Sequence, residues 1–191
     1  MYPKYAEING KKYKINTDFR IAIKCNSIAE NTKINDFERG LAVIYTLFGE
    51  EGINSQKDYE MLLKMAKKYL LCGKELNPEA NNKLDMDFEQ DYSYITTSFL
   101  SDYGIDLDNT KMHWWKFMDL MNGLSNSEIG NCCILNRIRN LRNFNTKDIK
   151  DTKIRHEIEK AKKEVALKKK PIRITKEQKE SADKFFKALG L

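Results

Sequence analysis

The stretch Asp36-Phe37-Glu38-Arg39-Gly40-Leu41-Ala42-Val43-Ile44-Tyr45-Thr46-Leu47-Phe48-Gly49 decides the fold class. Leu41, Ile44, Tyr45 and Phe48 recur at i, i+3, i+4 and i+7, which puts them on one face of a helix. Gly49 follows, a residue suited to closing a helix. The pattern predicts an amphipathic helix from about Asp36 to Phe48. The same period continues on both sides. Phe19, Ala22, Ile23, Cys25 and Ile28 share a broad face of a helix from about Asp18 to Glu30. Tyr59, Leu62, Leu63, Ala66, Tyr69 and Leu70 form the face of a third, beginning at Ser55 and closed by Gly73.

Toward the N-terminus the period shortens. Tyr5-Ala6-Glu7-Ile8 and Lys11-Lys12-Tyr13-Lys14-Ile15 flank Asn9-Gly10. Asn-Gly tolerates the positive φ angles of a type I′ turn, so a β-hairpin is predicted. A lone hairpin is marginal in water and must pack on something.

Toward the C-terminus, Phe88, Tyr92, Ile95, Phe99 and Tyr103 predict a fourth helix from Asp87, stopped at Gly104. Asp87, Glu89 and Asp91 would lie in its first turns, where the dipole favours acids and water solvates them. A fifth helix runs from Lys111 to Met121. Ser125-Asn126-Ser127-Glu128 reads as a capping box opening a sixth, to about Arg142. Thr146 to Lys168 is mostly charged, with a thin apolar seam of Ile149, Ile154, Ile158, Ala161 and Val165. Such a helix projects from the body or lies on its surface. Thr175-Lys176-Glu177-Gln178 caps a last helix ending near Gly190. The expectation is a mainly α fold of about seven to eight helices with a short N-terminal β-hairpin. Residues 1–145 form the helical core and 146–191 a basic helical region, joined to that core or extending as an arm.

Composition agrees. Among 191 residues there are only 9 Gly and 3 Pro, too few for the turns of an all-β sandwich. Hydrophobic residues are 41% and charged ones 32%, so the chain can bury a core and is not disordered overall. The net charge of +6 hides a polarity. Residues 1–110 hold 14 bases and 18 acids, net −4; residues 111–191 hold 20 and 10, net +10. Glu75 to Asp108 carries one base against nine acids, and Arg137 to Lys176 carries 15 bases against five acids. Either a basic interaction surface or attraction between acidic and basic parts follows, against the plainer reading of a solvated lysine-rich helix.

Little in the chain points to catalysis. The glycines are scattered singly, with no phosphate-binding or dinucleotide loop. Cys25, Cys72, Cys132 and Cys133 lack zinc-site spacing, and no secretory leader or membrane-spanning run is read, so a reduced cytoplasmic protein is expected. Cys132 and Cys133 read as buried small hydrophobes, and His113 as structural. No catalytic residue, cofactor or metal is expected, and the chain is read as non-enzymatic. His113-Trp114-Trp115-Lys116-Phe117 is the most unusual segment. Successive helical residues point about 100° apart, so one tryptophan fills the core and the other joins it or anchors a partner. Arg137, Arg139 and Arg142 are further partner-binding candidates, although they cannot share one helix face. Aromatics that could stack on bases are absent from Lys147 to Lys184, which disfavours single-strand binding and leaves duplex phosphates as the nucleic-acid alternative.

Three segments in order resemble the gene-product-fifteen family of tailed phages and prophages. They are Ile15-Asn16-Thr17-Asp18-Phe19-Arg20, then Asp87-Phe88-Glu89-Gln90-Asp91 running on to Phe99-Leu100-Ser101-Asp102-Tyr103-Gly104-Ile105-Asp106-Leu107. The third is Met112-His113-Trp114-Trp115-Lys116-Phe117 with Leu120-Met121-Asn122-Gly123-Leu124. The resemblance covers residues 5–142 most clearly. It implies a tail assembly chaperone for the tape-measure protein, with no catalytic residues to transfer. It also implies a companion tail chaperone or tail tube protein as further partners, residence in the host bacterial cytoplasm and absence from the mature virion; the opposed acidic and basic segments suggest self-association of copies around the partner. The alternative function is a nucleic-acid-binding phage protein using the basic C-terminal helices.

Overall fold

Asn9 and Gly10 both take positive φ, 51° and 76°, the pair of angles that a type I′ turn requires. They join β1 (Tyr5–Ile8) to β2 (Lys11–Lys14) in antiparallel register, Ala6 opposite Tyr13 and Ile8 opposite Lys11. The structure is a computed structural model and describes residues 1–75, 85–126 and 132–168. The Asn77-Pro78 break, the Asn81-Asn82 loop, the second half of the Ser125–Glu128 capping box and the last helix from Thr175 lie outside the described residues.

Eight helices occur among the described residues: α1 (Phe19–Ala29), α2 (Asp36–Phe48), α3 (Glu50–Ile53), α4 (Tyr59–Leu70), α5 (Tyr92–Tyr103), α6 (Trp114–Asn122), α7 (Ile134–Asn143) and α8 (Thr152–Glu164). The mainly α fold with an N-terminal hairpin is the one the sequence indicates. Two compact units divide the chain: among described residues, 1–75 with 111–118, and 85–110 with 119–126 and 132–168.

In the first unit α1 packs on α2, and α2 on α4, which also meets β1. Asn35 begins α2 with a reciprocal capping box: its side chain accepts from Glu38 N–H and Glu38 accepts from Asn35 N–H. Gly40 lets α2 approach α4, because a Cβ there would collide with the Tyr59 hydroxyl. Phe19 and Phe117 stack with centroids 4.6 Å apart, both fully buried. The hairpin finds its support through Asp58, which accepts from the Tyr13 hydroxyl at 2.7 Å and the Asn9 amide at 3.1 Å.

In the second unit α5 packs on α7, and α7 on α8. Ile95, Phe99, Leu107, Met121, Leu124, Cys133 and Leu135 are among its buried apolar side chains. Three sequence expectations shift here. The fourth helix begins at Tyr92 rather than Asp87, because Asp87 instead caps a turn, accepting from Glu89 N–H and Gln90 N–H at 2.9 Å each. Asp87 and Asp91 are buried rather than solvated. The sixth helix begins at Ile134, so Cys132 and Cys133 precede it; Cys133 is its N-cap and Cys132 bridges Asn126.

Candidate functional site

The two tryptophans are placed by their polar edges. His113 Nδ1 accepts from Trp115 N–H at 3.1 Å, so the imidazole caps the start of α6. Its Nε2 therefore carries the hydrogen and donates to the Pro3 carbonyl at 2.9 Å, while Tyr2 stacks on the ring at 5.0 Å. Trp114 is 1% exposed, and its indole N–H donates to Leu70 O at 3.0 Å. Trp115 is half-buried; its N–H donates to Tyr69 O at 2.9 Å, and its ring lies against Gly73. Adjacent tryptophans thus reach adjacent carbonyls at the end of α4. Each buries a large ring and satisfies its one donor.

The arginines diverge. Arg142 makes a two-pronged pair with Asp91, Nη1 to Oδ2 and Nη2 to Oδ1 at 2.7 Å each. Its Nε donates to Val165 O at 2.7 Å and its Nη1 also donates to Asp85 O at 2.9 Å. The Asp91 hydrogen bonds hold this guanidinium's pKa above its ordinary value. Arg139 pairs with Asp85 at 3.1 Å. Of the five expected contact residues, Arg137 is the one with an exposed side chain. It lines a cleft of about 620 Å³ with Thr97, Ser101, Asp102, Tyr103 and Cys132. Burial works against ionisation of Asp102, yet the Ser125 backbone N–H and the Ser101 hydroxyl hold its carboxyl below the usual range. Burial raises the Cys132 thiol, which opposes thiolate chemistry. Among the described residues, no group of three His, Cys, Asp or Glu side chains could hold a metal ion.

Within the basic stretch that the sequence offers as an interaction surface, the structure forms α8. Asp151 caps it, accepting from Lys153 N–H and Ile154 N–H, and Gln90 clasps the Lys168 backbone beyond its end through both amide atoms. None of its 13 residues is buried. Lys153, His156, Lys160 and Lys163 recur at i, i+3, i+7 and i+10, and all four are exposed. Among the described residues no ion pair ties those lysines to an acid; Glu159 is engaged by the Thr146 hydroxyl instead. Ile154 and Phe144 are about half exposed, at 50% and 48%. The sequence signal for this face is the 3.6-residue period of Lys153, His156, Lys160 and Lys163. Chemically the arrangement suits recognition: three lysines and a histidine at fixed spacing on a helix capped at its start and clasped just beyond its end.

A family model described as Bacteriophage Gp15 protein matches residues 2–167. No curated protein and no solved structure matches the chain.

Proposed function

We propose, from the premise that the chain belongs to the bacteriophage Gp15 family, that it is a non-catalytic tail assembly chaperone that binds the tape-measure protein. The single observation that carries this reading is α8, a capped helix with no buried residue and a row of unpaired lysines among the described residues. An isolated helix of this length is marginal in water, so an exposed one gains from a partner. A tape-measure protein is a long helical chain that must stay dispersed until tube subunits surround it. Half-exposed apolar side chains such as Tyr45, Leu100, Phe144 and Ile154 supply further contact area.

The nucleic-acid alternative is weaker, because Arg139 and Arg142 already hold Asp85 and Asp91. The test is a pull-down of the tape-measure protein encoded beside this chain, at moderate salt, with a duplex gel-shift over a salt series alongside. The reading expects a stoichiometric protein complex and no shift. A shift at low salt without any protein complex would replace it with the alternative.

A further inference from the structure

We propose that the outer face of α8 is a docking ridge for an acidic stripe on a helix of the partner protein. The inference deepens the chaperone reading and rests on it for the partner's identity, not for its chemistry. Lys153, His156, Lys160 and Lys163 lie within one narrow sector of the helix surface and span about 15 Å along the axis, from the 1.5 Å rise per residue. The ridge keeps its charge because, among the described residues, no acid forms an ion pair with its lysines, unlike Arg139 and Arg142 in the same unit.

What flanks the ridge selects the occupant. Glu157 and Glu164 border it on one side and Glu159 on the other, all exposed. A duplex carries negative charge across its whole width and would meet those carboxylates as well as the lysines. A helix with acids at i, i+7 and i+10, an acceptor at i+3 for His156 and bases on its flanks meets each lysine and glutamate with the opposite sign. Such complementary charge sets register and speeds encounter more than it adds affinity, and it is weakened by salt. That suits a partner that must later be released to the tail tube.

The test uses the full chain and three labelled probes in fluorescence anisotropy at low salt. The first is a 21-residue helical peptide, roughly six turns, with glutamates in that stripe and lysines beside it. The second has the same composition with its glutamates spread around the helix. The third is a short duplex DNA. The ridge predicts that the striped peptide binds about tenfold more tightly than its isomer. That preference disappears in Lys153→Glu/Lys160→Glu/Lys163→Glu. Circular dichroism checks the fold, and a triple Lys→Gln variant replaces the reversal if the fold changes. Equal binding of the two peptides, binding that the variant leaves intact, or a duplex bound more tightly than both peptides would each overturn the ridge. Retention of the tape-measure protein by the charge-reversed chain would also sink the ridge while leaving the chaperone reading intact. Selective binding of the striped peptide by a chain that ignores the tape-measure protein would do the reverse.

Discussion

Tyr13 donates its hydroxyl hydrogen to Asp58, whereas the buried Tyr69 hydroxyl has no partner among the described residues. The same Tyr→Phe change should therefore act in opposite directions. Tyr69→Phe removes an unsatisfied buried polar group and should stabilise the chain by about 1 kcal/mol in urea denaturation. Tyr13→Phe leaves Asp58 short of its main donor and should lower Tm. The Tyr13 hydrogen bond, more than burial opposes it, holds the Asp58 carboxyl below its usual range. Stability from this link is complete above the unfolded carboxylate value near pH 4 and is lost as pH falls through the lower folded value. Acid unfolding of Asp58→Asn should lack that component; an unchanged acid profile would show that the link contributes nothing. Asp91 and Arg142 carry more. Removing Asp91 alone leaves a guanidinium with its side chain 10% exposed and unpaired there, so Asp91→Ala should cost about 3–5 kcal/mol. A simultaneous Asp91→Leu/Arg142→Met change should recover most of the loss. Burial pushes the Cys25 thiol up to about 12, so a thiol reagent at neutral pH should label it far more slowly than half-buried Cys72.

At the scale of elements, Gly104 ends α5 in the left-handed region at φ 65°, with its N–H bonded to Leu100 O. Gly104→Ala should cost about 1 kcal/mol, read as a shift in the denaturation midpoint, because any Cβ is strained at that φ. This stop was legible in the sequence, as were the Asn9-Gly10 hairpin and both ends of α2. In each the deciding chemistry is local: a turn dipeptide, a glycine, a helical period. The start of α7 was not legible. Ser125-Asn126-Ser127-Glu128 has the composition of a capping box, but Ser125 N–H is taken by Asp102 and the helix begins at Ile134 instead. The start of α5 failed for a related reason. Asp91, which looks like a first-turn acid, is drawn inward by Arg142, 51 positions along the chain. Nothing in the local pattern encodes such a partner. His113 as the cap of α6 was equally hidden, since a histidine beside two tryptophans carries no capping signature.

For the molecule as a whole, the sequence polarity acquires a structural meaning. The acidic stretch and the basic stretch meet inside the second unit, where Asp85 and Asp91 hold Arg139 and Arg142. Those arginines read from sequence as contact residues; the fold engages them internally and leaves exposed cations to Arg137, α8 and the neighbouring Lys147, Lys150 and Lys168. The polarity thus contributes both to folding and to a surface that remains charged. Salt should separate the two roles, because the buried Arg142–Asp91 pair is screened far less than exposed lysines. Raising salt should release a bound partner before it lowers the denaturation midpoint. The most direct measurement of the central claim is the soluble fraction of the tape-measure protein expressed with and without this chain in the same cells. The chaperone account predicts that co-expression moves the tape-measure protein from the pellet into the supernatant, bound to this chain on size-exclusion chromatography. An equally insoluble tape-measure protein, with this chain eluting alone, would contradict it.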